Sequence, residues 1–168
     1  MRVAVTGTPG TGKTTATERL ATDLAVIHLN DVVREEGLTQ GRDEERDTLV
    51  ADLDAVASWL DGRDDVLFES HLAHNFAAER VVILRCHPER IEERLKARGE
   101  SPATVAENAE SEALDVVLSE AVAEHGEDSV YEIDTTDRSP EDVADAITAV
   151  IAGERDPAAG TVSFVEYL

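Results

Sequence analysis

The segment GTPGTGKTT, residues 7–15, constrains the fold of this chain more than any other feature. It satisfies the pattern G-x-x-x-x-G-K-[ST] in full, and it directly follows the β-branched run RVAVT. Glycines in such a loop let backbone N–H groups turn towards an anion, and the N-terminus of the following helix adds partial positive charge. The sequence therefore predicts a site for the phosphates of a nucleoside triphosphate, placed between a strand and a helix.

The side chains of this motif have separate expected roles. Lys13 should reach the β- and γ-phosphates, and the Thr14 hydroxyl should bind Mg²⁺. Lys13 is one of only two lysines in the sequence, which makes a chance match to the motif a weak alternative. No N-K-x-D segment for guanine recognition occurs, which argues against a Ras-like GTPase. A small-molecule kinase core is the class that remains.

The net charge of −22 is extreme for a chain of 168 residues. Such a chain repels itself at low ionic strength, whereas molar salt shortens the Debye length to about 3 Å and screens the repulsion. We interpret the composition as that of a protein from a high-salt cytoplasm, with an ordinary acidic protein as the alternative. An acidic surface also argues against a broad nucleic-acid-binding surface.

Length and composition predict one cytoplasmic domain that spans residues 1–168. The hydrophobic fraction of 42% is enough for a core, and no apolar run of 18 residues exists that could cross a membrane. A predicted strand begins at Arg2, which leaves no room for a signal peptide. Cys86 is the only cysteine, so no internal disulfide is expected, in keeping with a reducing compartment.

Apolar runs and segments with helical spacing alternate along the chain. The predicted strands are 2–6, a run near AVIHL, 65–69, 80–86 and 129–133. The predicted helices are 13 to about 25, 31–36, 48–60, 88–99, 102–124 and one from 140 onward, with a polar loop at 37–47 and a linker-like segment at 153–160. This alternation implies an α/β fold with a parallel sheet of about five strands and helices on both faces. The apolar tail TVSFVEYL is expected to dock on the domain.

An acidic residue and two histidines follow the predicted strand DVLFE. Glu69 stands where a P-loop protein usually places an acidic residue near Mg²⁺ and its waters, although a strand-end carboxylate that faces solvent is the alternative. His71 is a candidate for positioning an incoming phosphate or a water molecule, whereas His74 better suits a structural role. A zinc site formed by these three residues is a further, weaker interpretation.

Phosphoryl transfer requires positive charge around the moving group. Arg90, Arg94 and Arg98 recur at every fourth position and form a row along the predicted helix. A solvated face paired with neighbouring glutamates is the alternative. We favour a functional role for Arg94 and Arg98, because they approach the loop after Gly99.

The following segment offers no cations of its own. Residues 99–137 contain neither lysine nor arginine, so a lid in this region must use the arginines before it or Arg138 after it. Arg34, which follows HLND, is the best candidate to hold the phosphate of an acceptor. Arg46 in DEERD is second, with a surface ion pair as its alternative.

These segments together resemble the archaeal and nuclear adenylate kinase family, the adenylate kinase isoenzyme six type, whose eukaryotic members are small-ribosomal-subunit maturation factors. The matching segments run in order from residue 7 to about 125: GTPGTGKTT, DVVREEG, DEERD, ESHLAH, LRCHPERIEERLKARG and AENAESEALDVVLSEA. The resemblance implies a P-loop nucleoside-monophosphate kinase fold with a monophosphate-binding region at about 28–51 and a short lid at about 97–107. It also implies both adenylate kinase and ATPase activity.

The resemblance also completes the set of site residues. Catalytic roles are expected for Lys13, Arg94, Arg98, Glu69 and His71. ATP would be held by Gly10, Thr11, Gly12, Lys13, Thr14, Thr15, Arg98 and Arg138. The monophosphate would be held by Asp31, Arg34 and Arg46. The expected cofactor is Mg²⁺, bound by Thr14 directly and by Glu69 through water.

Two functions remain open at this point. The first is transfer of the γ-phosphoryl group from ATP to AMP (ATP + AMP ⇌ 2 ADP), with accompanying ATPase activity. AMP already presents an anionic oxygen, so this reaction needs no strong general base, and none is evident. The second is an ATP-hydrolysing assembly factor that acts on a ribosomal protein or an immature small ribosomal subunit in rRNA maturation. The two are compatible, because a site that closes without AMP could admit water.

Overall fold

The computed structural model describes residues 1–45 and 48–168. Its strands are β1 (Arg2–Thr6), β2 (Ala25–His28), β3 (Thr39–Asp43), β4 (Thr48–Ala51), β5 (Val66–Glu69), β6 (Arg80–Arg85) and β7 (Val130–Asp134). Its α-helices are α1 (Lys13–Thr17), α2 (Leu29–Glu35), α3 (Leu53–Leu60), α4 (Pro88–Ala97), α5 (Pro102–Ala113), α6 (Val116–His125) and α7 (Pro140–Ile151). Short 3₁₀ turns occur at Ala73–Asn75, Glu127–Ser129 and Val165–Tyr167.

Five of these strands form a parallel sheet in the order β2-β5-β1-β6-β7. Phe68 and Ile83 pack on one face with residues of α3 and α6, whereas Leu67 and Val82 pack on the other with residues of α1 and α7. Successive residues of a strand point to opposite faces, so a sheet covered on both sides needs uninterrupted apolar strands. The predicted α/β fold with a parallel sheet of about five strands is confirmed.

The strand order determines what surrounds the phosphate loop. β1 lies between β5 and β6, and all three strands point the same way, so their carboxyl ends meet at one edge of the sheet. The loop after β1 is therefore flanked by the ends of β5 and β6, where Glu69 and Arg85 lie. Ligands of open parallel sheets bind at this edge.

The helix predicted from residue 13 to about 25 is wrong in its length, because α1 ends at Thr17. The Thr17 hydroxyl donates to the carbonyl oxygens of Lys13 and Thr14, at 2.9 and 3.1 Å, and such bonds compete with regular helix. The next turn is tighter, since Arg19 N–H donates to the Ala16 carbonyl oxygen, three residues back, at 3.1 Å.

The polar loop predicted at 37–47 and the helix predicted at 48–60 are both partly wrong. β3 and β4 pair as an antiparallel hairpin, and helix α3 begins only at Leu53. Asp52 sets this start, because its side chain accepts a hydrogen bond from Ala55 N–H at 3.1 Å as an N-cap. Leu49, which the prediction placed in this helix, is 46% exposed on the hairpin.

The helix predicted at 102–124 is two helices, because the chain turns at Asp115 between α5 and α6. Asp115 has a φ of 55°, a left-handed conformation that aspartate tolerates better than most residues. Its carboxylate accepts from Arg85 Nη2 at 2.5 Å, which holds the turn against the end of β6.

The C-terminal residues dock on the domain, as expected. Ala158 lies beside Tyr131 on the outer edge of β7, and it exchanges backbone hydrogen bonds of 2.9 Å with Val130 and Glu132. The segment 153–160 therefore covers an edge strand and is not a free linker. Further on, Phe164 is buried. Among the described residues, no helix has the length and apolar character needed to cross a membrane.

Candidate functional site

The loop between β1 and α1 is shaped by glycines. Gly7 adopts a φ of 149°, and a Cβ there would lie 2.7 Å from the Leu84 carbonyl oxygen, which no side chain tolerates. Gly12, in the left-handed region with a φ of 91°, caps the first turn of α1. The loop therefore packs closely on the end of β6 and directs its backbone towards the N-terminus of α1, which suits an anion.

Lys13 lies inside the curve of this loop and is buried. Its Nζ donates to the carbonyl oxygens of Gly7 and Thr8 at 2.8 and 3.2 Å. Burial is the main cause that lowers the pKa of the Lys13 ammonium to about 8; the Arg98 charge acts in the same direction, whereas the charges of Glu69 and Glu112 act against it. A bound phosphate would supply the negative charge that this buried cation lacks.

The two residues expected to hold Mg²⁺ lie together. Thr14 Oγ1 donates a hydrogen bond of 3.0 Å to Glu69 Oε1, and Glu69 is only 4% exposed. The alternative of a strand-end carboxylate facing solvent is therefore wrong. A hydroxyl and a carboxylate supply the hard oxygen donors that Mg²⁺ prefers, so these residues fit that ion.

The same carboxylate has a partner that the sequence analysis missed. His28 Nδ1 lies 2.7 Å from Glu69 Oε1. The two residues end adjacent strands, and the register of β2 and β5 places them directly opposite each other. A histidine at the carboxyl end of a predicted strand next to an acidic strand end was the available signal, but using it requires the strand order.

His71 and His74, the two histidines that follow β5, have different surroundings. Burial lowers the pKa of His71 to about 4, with the charge of Lys13 and His74 acting in the same direction, so its imidazole is neutral at pH 7. His74 is bonded on both ring nitrogens, to Thr6 Oγ1 and to Glu120 Oε2, each at 2.7 Å. These contacts suit a structural role for His74. No cluster of three metal-ligating side chains occurs in the described part of the chain, so the zinc interpretation finds no support there.

Helix α4, the residue that directly follows it and the loop before α7 place arginines beside the phosphate loop. A cavity of about 300 Å³ opens there, and its lining includes Thr11, Gly12, Thr15, Arg94, Arg98 and Arg138. Arg94 Nη1 donates to the Gly10 carbonyl oxygen at 2.9 Å, which ties α4 to the loop. Arg90, the third member of the predicted row, instead faces Asp137 at 3.7 Å. Three of the expected cations thus meet at one cavity of a size that suits a small ligand.

The comparisons with known proteins agree with this arrangement. A family model described as "AAA domain" matches residues 3–115. Proteins named "Putative adenylate kinase" from Natronomonas pharaonis and Halobacterium salinarum are 71% and 60% identical to this chain, with 100% of each chain covered in both comparisons. The chain belongs to this adenylate kinase family.

A solved structure supports the fold of the family member independently. Shikimate kinase from Acinetobacter baumannii, in complex with shikimate, superposes with a TM-score of 0.60 at 20% sequence identity. The superposition covers 92% of this chain and 94% of that one. At this identity the likeness concerns the fold alone, which is that of a P-loop kinase.

In this adenylate kinase family member, the residues expected to bind the acceptor do not gather at one place as those of the phosphate loop do. Asp31 and Arg34 lie one turn apart on α2, pair with each other and are exposed, outside the lining of the cavity. Arg46 lies outside the described residues. The monophosphate-binding region at 28–51 and the lid at 97–107 stay predictions. The lid range holds the end of α4, the turn at Gly99 and the start of α5.

Proposed function

We propose that the chain transfers the γ-phosphoryl group of ATP to AMP, giving two molecules of ADP. The observation that carries this proposal is the convergence of Arg94, Arg98 and Arg138 on one cavity beside the phosphate loop, whose buried Lys13 ammonium bonds to the Gly7 carbonyl oxygen. Family membership makes the chain a kinase of this fold, with a nucleotide such as ATP and a phosphate acceptor as substrates. The choice of AMP and the accompanying ATPase activity are our proposals.

The reaction needs positioning and charge neutralisation more than covalent chemistry. An oxygen of the AMP phosphate attacks the γ-phosphorus, the bond from that phosphorus to the β-phosphate oxygen breaks, and ADP leaves. Lys13 and the arginines of the cavity would neutralise the charge that moves during this step. Mg²⁺, held by Thr14 and through water by Glu69, would offset the negative charge of the β- and γ-phosphates.

His71 has a more limited proposed role. Burial lowers its pKa to about 4, so its neutral imidazole can donate its N–H to an oxygen of the acceptor phosphate or accept a hydrogen bond from a water molecule. The AMP phosphate needs no proton removed, so we assign His71 to positioning rather than to general-base catalysis. Water in place of AMP would account for ATP hydrolysis as a side activity.

The test of the proposal is ADP formation from ATP and Mg²⁺ in molar KCl, measured with and without AMP. Strong stimulation by AMP, with two ADP formed for each ATP consumed, is expected. Slow ADP formation at the same rate with and without AMP would contradict the proposed acceptor and leave ATP hydrolysis as the activity. The alternative of an assembly factor in rRNA maturation gains no support from the names of the relatives described above.

Replacing Arg34 with alanine should weaken the use of AMP selectively. A guanidinium forms charge-assisted hydrogen bonds with phosphate, so its loss should lower kcat/KM for AMP about tenfold or more. ATP hydrolysis without AMP should change less than about twofold, because Arg34 lies outside the cavity lining. Steady-state kinetics of both reactions measure the difference.

Arg90→Ala is the matched control for this prediction. Arg90 is also an exposed arginine paired with an aspartate, and it too lies outside the cavity lining. Neither reaction should change in this variant. Equal losses of both reactions in Arg34→Ala would remove Arg34 from the acceptor site.

A further inference from the structure

A buried carboxylate away from the cavity holds the first turn of the phosphate loop. Glu112 on α5 is only 2% exposed, and its Oε2 accepts a hydrogen bond of 2.5 Å from Thr8 Oγ1. Its Oε1 accepts from Arg85 Nε at 2.7 Å and from the Cys86 backbone N–H at 3.2 Å. Both oxygens thus have partners: Oε2 bonds to the loop, and Oε1 bonds at the end of β6.

Thr8 is the residue through which this contact reaches the site. Its carbonyl oxygen accepts from Lys13 Nζ at 3.2 Å, and from Thr11 through the backbone N–H and the hydroxyl at 3.2 and 2.9 Å. A side chain anchored at Thr8 therefore restricts the direction of the carbonyl that faces Lys13. Thr8 thus connects Glu112, which accepts from its hydroxyl, with Lys13, which donates to its carbonyl oxygen.

Arg85 holds the Glu112 carboxylate in its position. It is 1% exposed, and besides Glu112 it donates to Glu132 Oε2 at 2.7 Å and to Asp115 Oδ1 at 2.5 Å. Burial lowers the pKa of the Arg85 guanidinium, but the carboxylates of Glu112 and Asp115 outweigh burial and raise it above its ordinary value. The cation is therefore permanent, and a buried carboxylate beside it gains a fixed partner.

We propose that Glu112 is a positioning residue of the nucleotide site. Through Thr8 it fixes the loop carbonyl against Lys13, and so it keeps the ammonium where the β- and γ-phosphates of the nucleotide bind. This role rests on the nucleotide site of the proposed function, but not on the identity of the acceptor. Glu112 lies outside the lining of the cavity and bonds to the loop through Thr8, and its charge also acts to raise the pKa of Lys13.

Two substitutions break the contact from opposite ends. Thr8→Val keeps the shape of the side chain and removes its hydroxyl donor, whereas Glu112→Gln removes the charge that strengthens the bond. Each should weaken the binding of ATP with Mg²⁺ about tenfold, the scale of one hydrogen bond to a charged group. Titration calorimetry in molar KCl without any acceptor measures this affinity, and thermal unfolding of each variant accompanies it.

Glu132→Gln is the matched control, because Glu132 is an equally buried partner of Arg85 that has no contact with the loop. It should lower the unfolding temperature as Glu112→Gln does, yet keep the ATP affinity of the native chain. Thr8→Ser retains the donor and should restore binding. The double variant Thr8→Val with Glu112→Gln should bind ATP no more weakly than either single variant, because both remove one shared contact.

The outcomes separate this inference from the proposed function. Native ATP affinity in Thr8→Val, or an equal loss in Glu132→Gln and Glu112→Gln, would overturn the positioning role and leave Glu112 as a structural residue. A native chain that binds ATP but does not phosphorylate AMP would contradict the proposed acceptor and leave the role of Glu112 standing. A native chain that does not bind ATP would overturn both.

Discussion

Replacing Lys13 with methionine should abolish phosphoryl transfer, with kcat/KM for ATP falling at least about a thousandfold. Lys13 is the only lysine of the phosphate loop, and its ammonium lies within the curve formed by the Gly7 and Thr8 carbonyl oxygens. Methionine keeps the length of the side chain but supplies neither charge nor hydrogen-bond donor. The charge on the transferring phosphoryl group would then lose its nearest buried cation. ADP formation with AMP, and ATP hydrolysis without it, should fail together.

The chain offers a matched control in Lys96, its second lysine. Lys96 is largely exposed on α4 and contacts Glu92 at 3.2 Å, an exposed pair whose loss should change activity little. Lys96→Met should therefore retain the native rates. Because Lys13→Met removes the hydrogen bonds that Lys13 donates to the Gly7 and Thr8 carbonyl oxygens, thermal unfolding must show that the variant is folded under the assay conditions. Turnover by a folded Lys13→Met protein would contradict the assignment of the loop to phosphate binding.

The sheet could be predicted from the sequence because its local and tertiary signals agree. Strands such as β5 and β6 are buried on both faces, so their sequences are continuous apolar runs apart from charged residues at their ends, and such runs are easy to recognise. The hairpin of β3 and β4 has no such pattern. Leu49 and Val50 are both about half exposed, and the two strands are paired with each other rather than with the main sheet. Because neither face of the hairpin is buried as the main sheet is, its sequence has no apolar periodicity from which the strands could be predicted.

The residues of the site likewise fall into those that local sequence predicts and those that only the fold brings together. Lys13 and Thr14 could be placed because a contiguous motif fixes their positions, and Glu69 because it ends a recognisable strand. The bond from Thr8 to Glu112 joins residues 104 positions apart, and it exists only because α5 packs beside the loop. The contact of His28 with Glu69 joins residues 41 positions apart and follows from the strand order. Contacts of this kind require the fold before they can be inferred.

Stability should depend on salt far more than in an ordinary protein of this size. The sequence has 37 acidic residues against 15 lysines and arginines, so acidic side chains outnumber basic ones by more than two to one. The Debye length is about 10 Å at 0.1 M salt and about 3 Å at 1 M, so molar KCl removes most repulsion between exposed carboxylates. Relatives with 71% and 60% identity come from Natronomonas pharaonis and Halobacterium salinarum, and the first is a halophilic archaeon.

We expect the unfolding temperature in dilute buffer to lie about 10 °C or more below that in molar KCl, which corresponds to a few kcal/mol for a domain of this size. Circular dichroism over a series of KCl concentrations measures the shift. Sucrose, which stabilises by exclusion from the protein surface without screening charge, is the control for a general solute effect. A variant with Glu124→Gln, Glu127→Gln and Asp128→Asn removes three exposed charges from one surface and should need less salt. Equal unfolding temperatures at low and molar KCl would show that the repulsion is already balanced within the fold, and would contradict the high-salt interpretation of the composition.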